Sequence, residues 1–222
     1  MGLGMLGRLR QRLAAWAIRV AQRLGPRRVR VRGRVYRVTA SVFNPKLYGT
    51  SRFMARHMEV RPGDAVLDVG TGSGILAVVA AETAARVVAV DINPEAVRCA
   101  RENVAANGLG EKVRVAESDL FAALEPGERF DVILFNPPYL EGAPTTPLGH
   151  ALYDPGKRLL RRFLEGAVGH LAEGGCVQMA YSSIAEPGRA LRIAESLGWS
   201  HRVVAERRFM GERLFLCRLS RP

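Results

Sequence analysis

Residues 68–74 read DVGTGSG, and this stretch decides the fold because it stands between the apolar run 65–69 and the helical composition of 75–85. Glycines at alternate positions between a strand and a helix let the chain turn tightly and let a ligand approach the backbone. A dinucleotide loop would read G-x-G-x-x-G, and an NTPase phosphate loop would continue with Lys and then Ser or Thr; this stretch does neither. Asp68 brings a negative charge to the loop, which favours a ligand that carries positive charge.

Strands and helices alternate regularly on both sides of this loop. Near-continuous apolar strands separated by helices are typical of a mostly parallel sheet whose two faces are covered. The predicted strands are 65–69, 86–91, 113–117, 130–136, 176–181, 202–209 and 213–219, and the predicted helices are 75–85, 94–107, 158–172 and 188–197. The pattern therefore predicts an α/β fold of the doubly wound kind.

Acidic residues mark the ends of three successive predicted strands. Asp68 lies in the first, Asp91 at the end of the second and Asp119 just after the third. Ligands of open α/β sheets bind at the carboxyl ends of the strands, so these side chains are expected to surround one site. Asp91 can accept both hydroxyls of a ribose, and Asp119 can accept from an exocyclic amine such as that of adenine.

Residues 136–139 read NPPY and follow an apolar strand. The prolines hold the backbone extended and lack N–H groups, so this loop offers acceptors and almost no donors. The Asn136 side-chain oxygen and the Pro137 carbonyl can accept the two hydrogens of one NH2 group, and the Tyr139 ring can pack on a flat substrate. Together these groups would aim a nitrogen lone pair for a direct displacement, in which alignment contributes much of the rate.

Together with VDINPEAV at 90–97 and SDLF at 118–121, these stretches resemble the successive motifs of class I S-adenosylmethionine-dependent methyltransferases, over about residues 60 to 181. The resemblance implies a Rossmann-like sheet of seven strands, one of them antiparallel, with helices on both faces. It also implies that S-adenosylmethionine is the cofactor and that Asn136, Pro137, Pro138 and Tyr139 are catalytic. The cofactor contacts that it implies are Thr50, Asp68, Gly70, Thr71, Gly72, Gly74, Asp91, Ile92, Asp119, Leu120 and Asn136.

The NPPY stretch is similar to that of methyltransferases that modify planar amide or amine nitrogens, among them the release-factor glutamine methyltransferases and several RNA and DNA base methylases. Thr50 is included as a cofactor contact because residues 43–51 resemble a stretch that precedes the first strand in the shorter glutamine methyltransferases. Residues 43–51 keep the aromatic, proline and hydroxyl positions of that stretch but lack its acidic residue. A protein glutamine is the first interpretation of the acceptor. A base in rRNA or tRNA and a small-molecule amine or amide stay open, because all three present the same planar NH2 group.

The positive charge of the chain belongs to its N-terminal quarter. Residues 1–58 contain thirteen Arg, one Lys and no Asp or Glu, whereas the remaining 164 residues carry a net charge of −2. We therefore expect a basic extension, helix plus hairpin, at 1–58 and the methyltransferase catalytic domain at 59–222. Residues 1–38 favour contact with a polyanion or an anionic membrane surface.

Two elements are predicted in this extension. Apolar residues spaced by three or four predict one amphipathic helix within the first 28 residues, either packed on the body, lying on a membrane or docked on a polyanion. If the helix packs on the body, Leu13 and Trp16 are expected to be buried. The alternation at 29–38 predicts a strand pair that turns at Arg32-Gly33. The apolar stripe of the helix comprises Leu6, Leu9, Leu13, Trp16, Val20 and Leu24.

Other classes of protein fit the sequence poorly. No apolar run reaches the roughly 18 to 20 residues that a membrane span needs, so an integral membrane protein is not expected. The three cysteines lie in apolar patterns, which indicates free buried thiols and a cytoplasmic location. The four histidines lie beside no Cys or acidic cluster with ligand spacing, so no metal site is expected.

Overall fold

The structure, a computed structural model, describes residues 13, 16, 20, 22, 24–44, 49–143, 146–209 and 211–221. Two short strands come first, β1 (Arg28–Val31) and β2 (Arg34–Arg37). The strands that follow are β3 (Ala65–Val69), β4 (Arg86–Asp91), β5 (Val113–Glu117), β6 (Phe130–Phe135), β7 (Leu171–Ser182), β8 (Ser200–Phe209) and β9 (Glu212–Ser220). The helices are α1 (Gly49–His57), α2 (Ile75–Ala80), α3 (Pro94–Ala106), α4 (Pro147–His150), α5 (Arg158–Ala167) and α6 (Pro187–Ser196).

Strands β3 to β9 form one sheet in the order β5-β4-β3-β6-β7-β9-β8. Every pair from β5 to β7 is parallel, whereas β9 pairs antiparallel with both β7 and β8. The predicted Rossmann-like sheet of seven strands with one antiparallel strand is confirmed. The chain leaves β3 towards β4 on one side and later returns to β6 on the other, so the strand order reverses between β3 and β6, which is where open α/β sheets bind ligands.

Apolar side chains cover both faces of the sheet. In β3, Val66 packs in a core with α1, α2 and α3, while Leu67 and Val69 pack in a second core with α5 and α6. Successive residues of a strand point to opposite faces, so a strand buried on both sides reads as a continuous apolar run. This arrangement holds the carboxyl ends of the central strands at one edge of a rigid scaffold.

The predicted helix 158–172 is too long. Helix α5 ends at Ala167, a 3-10 turn follows at Val168–His170, and β7 already begins at Leu171, which pairs with Phe130. Gly174 adopts a positive φ of 71°, and a Cβ on Gly175 would lie 2.9 Å from the carbonyl oxygen of Phe130. The two glycines therefore form an irregularity inside a strand, where the sequence indicated the end of a helix. Helix α2 is also shorter than its prediction, ending at Ala80.

The basic hairpin forms as predicted and packs on the catalytic body. Arg32 and Gly33 have φ values of 49° and 80°, as a two-residue turn with both central residues left-handed requires. The apolar side chains of the hairpin, Val29, Val31 and Tyr36, are buried in the same core as α2 and α3. The predicted division of the chain at residues 58 and 59 stays a prediction, and this core extends across it.

Most of the predicted N-terminal helix lies outside the described residues, Leu6 and Leu9 included. Leu13, Trp16, Val20, Gln22 and Leu24 are described and helical. Leu13 is 58% exposed and Trp16 is 65% exposed, so the burial expected of a helix packed on the body is not found at these two residues. Within the described residues, no helix is long and apolar enough to cross a membrane.

Gln22 is a described helical residue that contacts the body. Its side-chain nitrogen donates to the carbonyl oxygens of Thr39 at 3.2 Å and of Val42, and its oxygen accepts from the backbone N–H of Asn44 at 3.1 Å. Gln22 is buried, and these partners all lie between Thr39 and Asn44. The N-terminal segment thus holds residues 39–44 in place.

Candidate functional site

The glycine loop between β3 and α2 adopts a backbone that side chains with a Cβ rarely allow. Gly70, Gly72 and Gly74 have φ values of 69°, 56° and 76°. A Cβ on Gly74 would also lie 3.2 Å from the backbone and side chain of Ala100, so this glycine lets α2 and α3 approach each other. The backbone N–H of Gly70 donates to the carbonyl oxygen of Val90 at 2.8 Å, which ties the loop to the end of β4. The three glycines are needed for the shape of the loop.

Asp68 holds this loop through hydrogen bonds to its carboxyl group. Its Oδ2 accepts from the Thr71 hydroxyl at 2.6 Å and from the backbone N–H of Ala77 at 3.1 Å. The side chain is fully buried, and Oδ1 has no hydrogen-bond partner among the described residues. Burial raises the pKa of Asp68 to about 7, an effect that the bonds from Thr71 and Ala77 only partly oppose. A cationic ligand nearby would favour the ionised form of this carboxyl.

Asp91, at the end of β4, faces the glycine loop. Its Oδ2 accepts from the backbone N–H of Gly72 and its Oδ1 from that of Asn93, both at 2.9 Å. Burial raises the pKa of Asp91, and these two bonds oppose the shift. A carboxylate oxygen accepts more than one hydrogen bond, so both oxygens keep capacity for the hydroxyls of a ribose.

Asp119, after β5, is held by a partner that the sequence did not indicate. Its Oδ2 accepts from Nη2 of Arg162 in α5 at 2.8 Å. The preceding Ser118 is buried, donates to the carbonyl oxygen of Leu120 at 2.9 Å and accepts from the N–H of Ala123 at 3.0 Å. Leu120 adopts a positive φ of 54°. The turn after β5 is therefore fixed by its own bonds, with Asp119 at its exposed side.

Asn136, at the end of β6, presents an acceptor without a partner. Its Nδ2 donates to the Ser51 hydroxyl at 3.0 Å and lies 3.5 Å from the Thr50 hydroxyl oxygen. The other end of the amide, Oδ1, is buried and accepts no hydrogen bond from the described residues. Buried carboxamide oxygens are normally satisfied, so an orphan of this kind needs an explanation such as a missing ligand.

The remainder of the NPPY stretch continues this acceptor surface. Pro137 and Pro138 are buried, and Tyr139 is half-buried with its ring centroid 6.2 Å from that of Tyr181 in β7. The Tyr139 carbonyl oxygen accepts from the ammonium group of Lys157 at 2.8 Å. The loop is thus fixed at both ends, by Ser51 at Asn136 and by Lys157 at Tyr139.

One pocket of about 530 Å³ brings these elements together at the point where the strand order reverses. Of the residues predicted for the site, Asp68 and Gly74 do not line this pocket. Asp68 instead bonds to the lining residue Thr71, and Gly74 packs against Ala100. The predicted residues that line it are Thr50, Gly70, Thr71, Gly72, Asp91, Ile92, Asp119, Leu120, Asn136, Pro137, Pro138 and Tyr139. Their roles in binding and catalysis remain predictions. Their position around one pocket agrees with the expectation that they surround a single site.

Several lining residues were not predicted from the sequence. Ser51 was not predicted because the resemblance of residues 43–51 indicated its neighbour Thr50. Arg162 was not predicted because a basic residue on a helix is usually solvated. Ser41 and Val42 carry no motif, and their place at the pocket depends on Gln22. Among the described residues, no group of three or more His, Cys, Asp or Glu side chains is placed to hold a metal ion.

A doubly wound sheet with a glycine loop and carboxylates at successive strand ends defines the class of S-adenosylmethionine-dependent methyltransferases. The family described as the methyltransferase small domain matches residues 38–210, and the chain belongs to this family. The predicted family, enzyme class and cofactor are confirmed.

Known relatives place the chain more closely. A release factor glutamine methyltransferase of Rhodopirellula baltica is 41% identical over 128 residues, which are 52% of this chain and 43% of that protein. A putative protein N5-glutamine methyltransferase of Methanocaldococcus jannaschii is 34% identical over 158 residues, 68% of this chain and 78% of that protein. The match to the first relative thus spans less than half of that protein's length.

A solved structure supports the fold. The 16S rRNA methyltransferase of T. thermophilus, in complex with AdoMet and guanosine, superimposes with a TM-score of 0.63 at 22% identity. The superposition covers 85% of this chain and 48% of that chain. At this identity the likeness shows the fold.

The pocket residues fit S-adenosylmethionine by their chemistry. Asp91 keeps acceptor capacity for a ribose. Asp68 does not line the pocket, and its buried Oδ1, behind the glycine loop, has no partner among the described residues. Ile92 is 55% exposed although it is large and apolar, and it lines the pocket beside Leu120. Apolar side chains at this position suit the faces of an adenine ring.

Proposed function

We propose that this protein transfers a methyl group from S-adenosylmethionine to a planar amide or amine nitrogen, with a protein glutamine as the first candidate acceptor. The observation that carries the proposal is the buried Asn136 Oδ1, an acceptor without a partner among the described residues. Ser51 supports its role, because the bond to Asn136 Nδ2 occupies the donor end of the same amide. The end that is left can receive an N–H, which is what an NH2 group supplies.

The chain's own residues bind and orient this NH2 group. Asn136 Oδ1 and the Pro137 carbonyl would accept its two hydrogens, and neither proline offers an N–H that could compete. Holding both hydrogens in the plane of the amide fixes the nitrogen lone pair perpendicular to that plane. When bound, S-adenosylmethionine supplies a methyl group on a positively charged sulfur. Alignment of this kind contributes several kcal/mol, and no nucleophilic side chain is needed.

The choice of a protein glutamine is supported by the names of the relatives. Both curated proteins above are named glutamine methyltransferases, and one of them is matched over 78% of its length. An RNA base is the second candidate, because residues 1–58 carry thirteen Arg and no acidic residue. A polyanionic substrate would be attracted by this charge. A small-molecule amine or amide is the third candidate, since the acceptor chemistry is the same.

We also propose that residues 1–38 contact a polyanion or an anionic membrane surface. Arg27, Arg28 and Arg30 are exposed and form no ion pair with another described residue, so their charge is available. Leu13 and Trp16 are exposed as well, which supplies apolar area for a membrane surface. A cytoplasmic location stays a proposal, supported by the three buried free cysteines.

Tritiated methyl transfer into a cell lysate tests the acceptor class. The full chain and the Asn136→Ala variant are incubated with labelled S-adenosylmethionine, and the products are treated separately with protease and nuclease. We expect label that depends on Asn136, resists nuclease and is lost with protease, and that is recovered as N5-methylglutamine after complete enzymatic digestion. Label that vanishes with nuclease would favour RNA instead. Label on oxygen or carbon, or equal labelling by the variant, would contradict the nitrogen chemistry.

A further inference from the structure

Lys157 is a fully buried cation in a chain whose other basic residues are almost all arginine. Of the 33 basic residues only three are lysines, Lys46, Lys112 and Lys157. The Lys157 side chain is 0% exposed, and its Nζ lies 2.8 Å from the Tyr139 carbonyl oxygen and 3.5 Å from Glu141 Oε1. It does not line the pocket. Its ammonium group therefore contacts the backbone of the NPPY stretch without being part of the pocket wall.

Two features of Lys157 are unfavourable by themselves. Burial of an ammonium group is costly unless the group is paired and hydrogen-bonded. Lys157 also adopts a left-handed φ of 60°, a backbone conformation that is unfavourable for a residue with a side chain. Such features persist where the surrounding structure holds them, and they concentrate at functional sites. Here they occur at a residue whose direct partner is the carbonyl of Tyr139.

The partners of Lys157 are themselves anchored. Glu141 accepts from the backbone N–H of Gly156 at 3.0 Å and from Arg189 of α6 at 3.3 Å. Asp154 is buried, and its two carboxylate oxygens accept from the backbone N–H groups at the start of α5, at 2.8 and 3.0 Å. The ammonium group thus connects the NPPY stretch through Glu141 to Arg189 of α6, while Asp154 holds the start of α5, the helix that Lys157 directly precedes.

A second set of bonds runs parallel to this connection. The N–H of Leu140 donates to the Leu152 carbonyl oxygen at 2.9 Å, and the N–H of Asp154 donates to the Leu140 carbonyl oxygen at 3.0 Å. These bonds hold the chain after Tyr139, and the Tyr139 carbonyl oxygen accepts from Lys157. Rotation of the Tyr139 peptide plane would therefore be opposed directly by the ammonium group.

We infer that Lys157 is a positioning residue for methyl transfer: by fixing the Tyr139 carbonyl it sets the direction of the Pro137 carbonyl and of Asn136 towards the acceptor NH2 group. The inference rests on the proposed function, because it assigns a purpose to the same loop. A lysine suits the place better than an arginine, since one compact ammonium group fits a closed site that a planar guanidinium would overfill. Small displacements of positioned groups are costly in rate.

The test uses Lys157→Met in the full chain, which keeps an unbranched side chain of similar length and removes its charge. Lys112→Met is the matched control, because Lys112 lies in the turn before β5 and outside the pocket. Calorimetry gives the affinity for S-adenosylmethionine and the number of binding-competent sites. We expect an affinity within threefold of the wild type, and a kcat per competent site at least tenfold lower in Lys157→Met alone.

Deuterium exchange of the peptides that contain residues 138–142 provides a readout that needs no methyl acceptor. Faster exchange there in Lys157→Met, with unchanged exchange in β4 peptides, supports the inference even if protein glutamine proves to be the wrong acceptor. Unchanged exchange at 138–142, or a kcat per competent site within twofold of the wild type, overturns it. Should Lys157→Met fail to fold, Glu141→Gln takes its place and is expected to act in the same direction, at least threefold on kcat; no effect of that variant would overturn the inference as well.

Discussion

The carboxamide nitrogen of Asn136 donates to the hydroxyl of Ser51 at 3.0 Å and lies 3.5 Å from the Thr50 hydroxyl oxygen, and this arrangement leaves the oxygen end of the amide for a substrate. Asn136 is carried by β6 and Ser51 by α1, so two distant parts of the chain set one side chain. The amide could in principle turn over and present its NH2 end. That orientation would meet the hydrogens of a substrate amide with a donor, and the Ser51 hydroxyl would then have to donate to Oδ1 instead of accepting from Nδ2.

Removing the Ser51 hydroxyl should weaken catalysis more than cofactor binding. In Ser51→Ala, Asn136 no longer has this acceptor, and a lost buried hydrogen bond of this kind is worth about 1 kcal/mol. We therefore expect kcat to fall about five- to tenfold, with the affinity for S-adenosylmethionine within threefold. Steady-state methyl transfer and calorimetry measure the two effects. Ser196→Ala, the same change at an exposed helix end, is the control, and an unaltered kcat in Ser51→Ala would refute the orienting role.

Removing the carboxylate of Asp91 should weaken cofactor binding. Asp91→Ala removes the acceptor for the ribose and also the partner of the Gly72 N–H, so we expect at least tenfold weaker binding, about 1.4 kcal/mol. Glu117→Ala is the matched control, because Glu117 pairs in register with Asp91 at the end of β5 but lies outside the pocket. Titration calorimetry with S-adenosylmethionine and S-adenosylhomocysteine decides the matter. Equal affinities of Asp91→Ala and wild type would remove Asp91 from the cofactor site.

The sheet could be predicted because its signals are local and strong. The glycine loop, the capped start of α3 and the apolar strands each follow from a few neighbouring residues; Asn93, for example, accepts from the N–H of Glu95 at 3.0 Å as a helix cap does. The predicted end of the helix at residue 172 was wrong, because the residues before Gly174 are equally compatible with the end of a helix and with the strand that begins at Leu171. Only the pairing of Leu171 with Phe130, 41 positions earlier, makes them a strand.

The lining of the pocket could be predicted in part, for the same reason. The residues in motifs were found, whereas Ser51 and Arg162 depend on contacts across 85 and 43 positions of sequence. Nothing near Gln22 in the sequence shows that it bonds to residues 39–44. Side chains whose role comes from a distant partner carry no local pattern, so sequence spacing cannot reveal them.

Asp119 should discriminate between adenine and a base that lacks its amine. If it accepts from that amine, the wild type should bind S-adenosylhomocysteine more tightly than S-inosylhomocysteine, and Asp119→Ala should reduce the preference about tenfold. Arg162→Gln should keep the preference and change the melting temperature little, because the ion pair is half exposed and such pairs contribute about 0 to 1 kcal/mol. Competition binding with the two ligands measures the preference. A preference unchanged in Asp119→Ala would place the adenine elsewhere.

Asp68 should make the free energy of unfolding depend on pH. Burial raises its pKa from 3.8 to about 7, so between these values the folded chain keeps a proton that the unfolded chain releases. Stability from this group is therefore full below about pH 4 and declines as pH rises through 7, by up to about 1.4 kcal/mol per unit. Asp68→Asn keeps an oxygen for Thr71 and Ala77 and has no proton to lose. Its unfolding free energy, measured in urea at pH 5 and pH 8, should fall less than that of the wild type; parallel changes would contradict the protonation.

The exposed arginines of the N-terminal segment should govern binding to a polyanion. Arg27, Arg28 and Arg30 form no ion pair with another described residue, so replacing all three with Gln removes charge without breaking a described contact. Each lost phosphate contact should reduce the dependence of log K on log salt by about 0.7 to 0.9, so the slope should fall by about 2 to 3. The affinity for S-adenosylmethionine should stay within twofold, because none of the three lines the pocket.

The control for this charge effect removes the same charge elsewhere. Arg192, Arg207 and Arg208 are exposed, form no ion pair with other described residues and lie on α6 and β8, away from the hairpin. Their replacement with Gln also lowers the net charge by three, and we expect it to leave the salt slope nearly unchanged. Fluorescence anisotropy with a single-stranded RNA oligonucleotide, and co-sedimentation with anionic and neutral vesicles, measure the two kinds of contact. Equal slopes for the two triple variants would mean that net charge alone acts, and that residues 1–38 form no specific surface.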